Sequence, residues 1–439
     1  KITTSVQLLK LFDDEAKVIR DYAWLEENFG KLVPMEMVVQ VPVASQAPSL
    51  ETLKGQDGFS NEQRNAQKYQ YTFLERVELV DQVQRTVEEV FGQQGKDIIG
   101  HGMSAVTFTP DLPGPAARTQ RYTINGLLER NRGRLLEEDY LAIGAASGQE
   151  TQAADSELWR VGLRLGALND VDYGEVFHQL KTVVEPILAA YRFRDTFLNQ
   201  LEQQSIQSGQ EDSEGYRSPN VFFDGNRILV MGADPGQSLA DLASQENDPK
   251  TLQRLQLTIF ARTLNELLLV KGFSNNRRLP HPLIWIDNNN PKHQQTLAKM
   301  QPGAWDKYLQ NFNQVVVLDD QQLKLASGPV FQLADLKGSE DQSLYRPLAT
   351  NSENVDWEQL AVAKKSQLSQ ESLPGQGLQV IYTGVVPIVF KAQRTLLTSL
   401  IESIAWAFVM IAVVMMVLLR SGRVTAQNLL SVRGGMLSM

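Results

Sequence analysis

No cysteine occurs among the 439 residues of this sequence, so the protein has neither a disulfide framework nor thiolate chemistry. A bacterial cytoplasm and a periplasm both tolerate such a chain, so this absence does not identify the compartment. Histidine is also scarce, because the chain has only four, and no two of them have the spacing of a metal-ligand pair. We therefore expect no metal site.

Positive charge is in deficit, with 42 Lys and Arg against 51 Asp and Glu and a formal net charge of −9. A nucleic-acid-binding protein needs a basic face, so nucleic acid is excluded as a partner. The apolar fraction of 42% and the charged fraction of 21% are ordinary for a globular protein. The chain can therefore build a normal core.

The familiar catalytic motifs are also missing. The segment Gln314–Asp320 resembles the strand that precedes a magnesium ligand in P-loop NTPases, but its partner loop is absent. The nearest glycine-containing loop, Gly232–Ser238, has no lysine. No G-x-S-x-G or H-E-x-x-H motif occurs, and Ser, His and Asp are too scattered to nominate a triad. We expect no catalytic residues, no cofactor and no enzymatic activity.

One long apolar segment is present near the C-terminus. Ser403–Leu419 carries no charge, and with the preceding turns it predicts a transmembrane helix over about Leu396–Leu419. Arg420, Arg423 and Arg433 follow, so the C-terminal end is expected to face the cytoplasm. The alternative is a buried helix of a large soluble core, which rarely carries so long an apolar run ended by a basic cluster.

Glu402 interrupts this apolar segment near one interface. An acid at a helix end near lipid headgroups is usually only solvated there. The other interpretation is that Glu402, with Trp406 one turn further on, lies on a substrate path.

The soluble part shows two successive βαβ patterns. Helices are predicted from amphipathic periodicity and strands from alternation or β-branched residues. The predicted elements are helix Glu15–Phe29, strand Met35–Val43, loop Ala44–Gln70, helix Phe73–Phe91, strand Ser104–Thr109, helix Ile124–Leu141, strand Trp159–Ala167, helix Tyr173–Tyr191 and strand Leu378–Thr383. Trp24 and Trp159 lie on apolar faces and are predicted to be core. This order predicts an α+β fold of the split-βαβ, ferredoxin-like type, with helices on one face of an antiparallel sheet.

A large insertion, about residues 199–374, separates the last strand from the rest. It is predicted to form a small α/β subdomain. Its expected elements are a hairpin over Val221–Met231 that turns at Asp224-Gly225, helix Leu252–Val270, short strands Leu283–Ile286 and Gln314–Leu318, and a helical stretch near His293–Met300.

Two segments resemble a known family. Tyr382–Arg423, YTGVVPIVFKAQRTLLTSLIESIAWAFVMIAVVMMVLLRSGR, resembles the second transmembrane helix of resistance–nodulation–division (RND) exporters, in the MMPL/Patched-like branch. Leu11–Val39 is similar to the segment after the first transmembrane helix of those proteins. In that family a βαβ-βαβ porter domain is inserted between the first and second spans. The helix also resembles the start of a sterol-sensing bundle.

The resemblance implies a division of the chain and a mechanism. The divisions are 1–198 for the first part of the porter domain, 199–374 for the insertion, 375–390 for the final strand and hinge, 391–420 for the membrane helix, and 421–439 for a cytoplasmic segment leading to a missing next span. Gly384 and Pro387 would form a hinge through which proton-driven movements of the membrane bundle reach the porter domain. The coupling acids of the family lie in a later helix, so this fragment carries none.

The expected protein is a proton-driven exporter of the bacterial inner membrane, with its large soluble domain in the periplasm. Its expected partners are the lipid bilayer, a hydrophobic or lipid substrate and the missing transmembrane bundle of the same chain, and the resemblance also allows a homo-oligomer. The alternative is a single-span anchored periplasmic protein for binding or assembly. The exporter hypothesis expects further apolar helices after Met439, one of them with an acidic residue inside it, whereas the single-span hypothesis expects none.

Overall fold

The computed structural model describes most of the soluble part and one separate helix. The described residues are 13, 16–49, 52, 67–144, 156–166, 173–207, 227–245, 249–279, 281–287, 289–299, 304, 308, 311–312, 314–318, 343–345, 377–384, 392, 395–396 and 398–417. Within them the chain is a mixed α+β protein with two sheets.

The helices are α1 Lys17–Phe29, α2 Phe73–Phe91, α3 Arg118–Arg130, α4 Arg132–Glu137, α5 Tyr173–Gln207, α6 Leu239–Ala243, α7 Pro249–Val270, α8 Pro291–Ala298 and α9 Thr398–Val417. The strands are β1 Val33–Val41, β2 Met103–Ser104, β3 Leu141–Ile143, β4 Glu157–Leu165, β5 Ile228–Met231, β6 Leu283–Ile286, β7 Gln314–Val317, β8 Ser343–Tyr345 and β9 Gln379–Gly384.

The first sheet is antiparallel, in the order β2-β4-β1-β9, with β3 also paired to β4. Its strands alternate as a half-buried sheet requires: Trp159, Val161 and Leu163 of β4 are buried, whereas Arg160 and Arg164 are exposed. The buried face packs on α2 and α5, which carry most of the large buried side chains. One face of this sheet therefore forms core and the other remains accessible.

The second sheet is parallel, in the order β6-β5-β7-β8, and belongs to the insertion. Its helix α7 packs along α5, so the buried side chains of the two halves form one continuous cluster. All four residues of β5 and of β6 are buried, as expected for parallel strands covered on both faces. The insertion is thus packed onto the helical layer of the first sheet.

Several predicted elements are confirmed. Helix α2 begins and ends as its periodicity indicated, because Thr72 and Glu75 form a capping box before it and Gly92 follows it. Strand β4, helix α7 and strand β6 also lie where their patterns predicted. Trp159 is fully buried, as predicted.

Five expectations were wrong. The strand predicted at Ser104–Thr109 ends at Ser104, because the Ser104 side chain caps a short 3₁₀ helix over Ala105–Phe108. The single helix over Ile124–Leu141 is two helices, α3 and α4, with a break at Asn131.

The hairpin over Val221–Met231 does not form with β5, because β6 and β7 occupy both edges of that strand in parallel. Its turn residues Asp224 and Gly225 lie outside the described residues, as does most of the predicted loop Ala44–Gln70. Helix α5 is much longer than Tyr173–Tyr191 and continues through residue 198, where the sequence suggested a division.

Trp24 was also predicted incorrectly. It is 57% exposed on α1, a helix with no buried residue, and its ring lies 6.0 Å from that of Phe29. The helix is amphipathic, but within the described part of the chain its apolar side is not covered.

Candidate functional site

Helix α9 is long and apolar enough to cross a membrane, with 20 residues and a mean hydropathy of 2.4 in its most apolar window. None of that window is buried, so α9 is not a core helix of the soluble part. This is consistent with membrane association. Arg420, Arg423 and Arg433 lie outside the described residues.

The two predicted path residues lie on α9, one helical turn apart. Glu402 and Trp406 therefore share one face, and Trp406 is 64% exposed. Neither residue lines either of the two cavities of the soluble part. The structure thus places Glu402 beside Trp406 but does not bring them together with a pocket of the soluble part.

Gly384 ends β9 in close contact with β1. Its φ of +101° lies in the region that favours glycine, and it pairs with Met35. A Cβ at this position would lie 3.1 Å from Met35 Cα and 3.3 Å from the Glu36 nitrogen. The chain therefore leaves the sheet at a residue that only glycine fits without strain. Pro387, its predicted partner, lies outside the described residues.

The antiparallel register brings the two ends of the soluble part together. Met35, near the start of β1, is opposite Gly384, the last residue of β9. Helix α1 enters β1 at this end of the sheet, and the chain leaves β9 at the same end, 14 residues before Thr398.

A cavity of about 730 Å³ lies at this end, on the accessible face of the sheet. Glu26 and Phe29 of α1, Pro34 and Glu36 of β1, and Arg160 and Arg164 of β4 contribute to its wall. Several of its charges are paired: Lys31 lies 3.5 Å from Asp97, and Arg160 forms an ion pair with Glu36. We call it the outer cavity.

A group of charged side chains is buried where α2, α5 and α7 meet. Arg194 and Asp195 are fully buried and paired, with Arg194 Nε 2.7 Å from Asp195 Oδ1. Arg194 also donates to the Tyr69 carbonyl at 2.8 Å, and Tyr71 donates its hydroxyl to Asp195 at 3.2 Å. Burial raises the pKa of Tyr71 well above its usual value, so the hydroxyl remains a donor.

Glu75 belongs to the same buried group, and its pKa is lowered. Burial alone would raise its pKa, but the charges of Lys271 and Arg194 and the Thr72 backbone N–H lower it from 4.5 to about 2. Lys271 Nζ lies 3.5 Å from Glu75 Oε1, and the Thr72 nitrogen donates to Oε2 at 2.8 Å. Glu75 is therefore ionised at any physiological pH.

The Glu75→Gln variant tests this charge directly. Because the pKa of Glu75 is lower in the folded state, its stabilisation is fully present above about pH 4.5 and is lost as pH falls toward 2. At 1.36 kcal/mol per pKa unit we expect the variant to lose up to about 3 kcal/mol at pH 7. The difference from the parent protein should shrink toward zero as pH falls to 2, measured by chemical unfolding at several pH values.

The substitution is well controlled, because Gln at this position retains a capping box with Thr72. A free-energy difference that stayed constant between pH 7 and pH 2.5 would contradict the electrostatic account and would indicate lost packing instead.

A second cavity, of about 420 Å³, opens beside this buried group, and we call it the acidic cavity. It lies between α2, the segment 106–115, α3 and α7. Its lining residues are Glu75, Glu78, Asp81, Gln82, Arg85, Val106, Thr109, Pro110, Asp111, Leu112, Pro113, Gly114, Pro115, Arg121, Tyr191, Glu266, Leu267 and Val270. Its size falls within the usual range of small-molecule sites.

Helix periodicity accounts for the acidic wall. Glu75, Glu78, Gln82 and Arg85 recur at intervals of three and four residues and so share one stripe of α2. Burial raises the pKa of Glu78 and of Asp81, although Arg121 and Arg85 respectively oppose that shift. Burial of these carboxylates therefore costs free energy.

In a parallel sheet, ligands bind at the carboxyl ends of the strands. There Asp234 accepts from the Gly236 nitrogen at 2.9 Å and from Asn290 Nδ2. Arg262 donates to the Gln237 carbonyl at 2.8 Å and pairs with Glu89. The loop Gly232–Ser238 is thus held by the protein's own hydrogen bonds, and Asp319 and Asp320 lie outside the described residues.

Sequence reasoning missed the acidic cavity. The acidic residues along α2 are apparent in the sequence, but the periodicity of that helix predicts only which apolar face packs in the core. The opposite wall comes from Pro110, Pro113, Pro115 and Glu266, which no local pattern connects to α2.

Comparison with protein-family models, with curated proteins and with solved structures finds no match to this chain.

Proposed function

We propose that this chain is part of a proton-driven exporter of the RND superfamily, in the MMPL-like branch. It comprises the first periplasmic porter domain and the second transmembrane helix, and the protein moves lipidic or otherwise hydrophobic cargo across or out of the bacterial inner membrane. No part of the proposal requires catalysis by the described residues.

The pairing of β1 with β9 carries this proposal. Because the pair is antiparallel, the chain enters the soluble part from α1 and leaves it toward α9 at the same end of one sheet. A domain inserted between two membrane spans needs this arrangement, since both of its ends must return to the bilayer.

The strand order supports the finer fold. In the order β2-β4-β1-β9, the strands of β1-α2-β2 are separated by β4, and those of β4-α5-β9 are separated by β1. Two interleaved βαβ units of this kind form a split-βαβ fold. The parallel sheet would then be an addition to the porter domain, packed through α7 onto α5.

The geometry at Gly384 supports a mechanical role for the connection. β9 is held against β1 up to its last residue, so displacement of α9 would be transmitted at the few residues that follow. Short connections that absorb backbone rotation are the usual hinges of domain movements. In this proposal Glu402 and Trp406 face a substrate path beside the membrane bundle.

The absence of cysteine makes the topology directly testable. Single Glu27→Cys and Ser431→Cys variants of the intact protein would be treated in whole cells with a sulfonated, membrane-impermeant maleimide. We expect Glu27→Cys to be labelled in intact cells and Ser431→Cys only after permeabilisation, because the basic cluster should keep the C-terminal side inside.

Labelling of both variants in intact cells, or of neither, would contradict a single crossing between the two positions. Labelling only at residue 431 would reverse the proposed orientation. The unsubstituted protein, with any cysteine outside these 439 residues replaced by serine, provides the background measurement.

A further inference from the structure

The charges around the acidic cavity do not balance. Five carboxylates line it, whereas Arg85 and Arg121 in the wall and Lys271 behind Glu75 are the cations that contact them. Arg121 pairs with Glu78, and Arg85 is shared between Asp81 at 2.7 Å and Glu266 at 3.7 Å. Among the residues that the structure describes, five acids thus share three cations, which leaves an excess of two negative charges.

Asp111 is the wall carboxylate that this pairing leaves out. It is exposed, at the cavity's edge, and has no ion pair with any residue that the structure describes. The outer cavity differs in this respect, because Glu36 and Asp97 there each have a cationic partner. The acidic cavity is therefore the one with an uncompensated charge.

Gln82 supplies a second, independent indication of a ligand. Its side chain is only 7% exposed, and its amide nitrogen donates to Glu266 Oε2 at 2.7 Å. Its carbonyl oxygen is buried in the cavity wall and receives no hydrogen bond from the described residues. A buried acceptor without a donor is unfavourable, and because this oxygen is closed to solvent, an incoming N–H group reaches it after a small shift of the Gln82 side chain.

The rest of the wall is apolar. Pro110, Leu112, Pro113, Leu267 and Val270 face the same space as the carboxylates. A ligand that matches both the carboxylates and the apolar residues of the wall has a positively charged group with hydrogen-bond donors and an apolar body. A bare metal ion fits less well, since no three described His, Asp or Glu side chains are grouped to hold one.

We propose that the acidic cavity binds an organic cation, with an ammonium or guanidinium group toward Asp111 and the Gln82 carbonyl oxygen and an apolar body against the proline-rich wall. The ammonium neutralises part of the excess charge and donates the hydrogen bond that Gln82 lacks. This inference does not depend on the proposed transport function.

Three water-soluble ligands of the same shape and different charge test the site: benzylamine, benzyl alcohol and benzoate. Binding to the purified full chain in nanodiscs would be measured by calorimetry or ligand-observed NMR. We expect benzylamine to bind at least tenfold more tightly than benzyl alcohol, and benzoate to show no binding at the same concentrations. Added salt should weaken benzylamine binding, because part of the attraction is electrostatic.

Two matched variants locate the binding. Asp111→Asn removes the unpaired carboxylate of the cavity, and Asp21→Asn removes an exposed carboxylate of α1 that lies outside the cavity. We expect Asp111→Asn to weaken benzylamine binding at least fivefold and Asp21→Asn to leave it unchanged. Both residues are exposed, so both variants should fold, and thermal unfolding would verify this.

Three results would overturn the proposal. The first is no benzylamine binding at 10 mM ligand (roughly the weak end of small-ligand affinities). The second is equal binding of benzylamine and benzyl alcohol, which would indicate an apolar crevice without charge selectivity. The third is an equal effect of the two variants, which would indicate attraction by the overall negative charge of the chain.

Discussion

The Asp195→Ala variant is expected to lose about 3–5 kcal/mol of stability, because it removes the carboxylate that is paired with the buried guanidinium of Arg194. Both side chains are fully buried in the parent protein. The substitution also removes the acceptor of the Tyr71 hydroxyl, although the Arg194 bond to the Tyr69 carbonyl is retained. Chemical unfolding of the full chain, followed by tryptophan fluorescence, would measure the loss.

The double variant Arg194→Met with Asp195→Leu provides the control. A buried ion pair contributes little when it is replaced as a whole by apolar side chains, whereas breaking it is costly. The double variant should therefore be more stable than Asp195→Ala, and a cycle with the single variants Arg194→Met and Asp195→Leu should give a coupling energy of about 2 kcal/mol or more between the two positions. Additive losses would show that the pair acts through packing volume instead, and the contact of Arg194 with the Tyr71 ring, 4.4 Å from its centroid, would then be the first to examine.

If the intact protein is the proposed exporter, replacing Gly384 and Pro387 together with alanine should reduce cargo export at least tenfold while the protein remains abundant in the membrane. This expectation follows from the proposed hinge. Alanine at residue 384 would bring a Cβ within 3.1 Å of Met35 Cα and hold the backbone away from its φ of +101°. Such a conformation costs of order 1–3 kcal/mol for a residue other than glycine. The measurement is export of a labelled lipidic substrate from cells or proteoliposomes, normalised to the amount of protein.

Backbone strain and loss of the hinge must be separated. Gly272 has a closely similar φ of +106° and follows α7, far along the chain from the connection to α9. The Gly272→Ala variant should lose comparable stability and keep its export per molecule. Unchanged export by the Gly384/Pro387 variant, or equal losses in both proteins, would argue against a hinge at this position.

Helices and strands whose bounds and buried faces are determined by their own residues were predictable from the sequence. Helix α2 has a capping residue, an apolar stripe and a terminal glycine within 21 residues, so its bounds follow from local chemistry. The alternation of β4 likewise needs only the two faces of one sheet. The glycine at residue 384 was also visible, since glycine before a proline marks a place where the chain changes direction.

Two kinds of feature were not predictable: a local turn that competes with an extended strand, and features that depend on distant segments. The sequence SAVTFT is rich in β-branched and aromatic residues, but hydrogen bonds of the Ser104 and Thr107 side chains with backbone nitrogens favour a 3₁₀ turn. Trp24 lies on an amphipathic helix, and its exposure is decided by what packs against that helix. Glu157 points into the core of β4 because Arg76 lies 2.9 Å away, 81 positions earlier in the chain, and no periodicity indicates such a pair.

The order of synthesis matters for the sheet that contains β1. Gln40 of β1 bonds to Gln379 of β9, which lies 339 residues later in the chain. At about 5–20 residues per second, a ribosome needs roughly 20–70 s to make that interval. During this time β1 has one edge unpaired, and an exposed strand edge readily pairs with other chains. The nascent protein therefore passes through a long interval in which it is prone to aggregate, and this interval ends just before the membrane helix is synthesised. Because β1 is exposed during that interval, folding should be sensitive to the supply of chaperones.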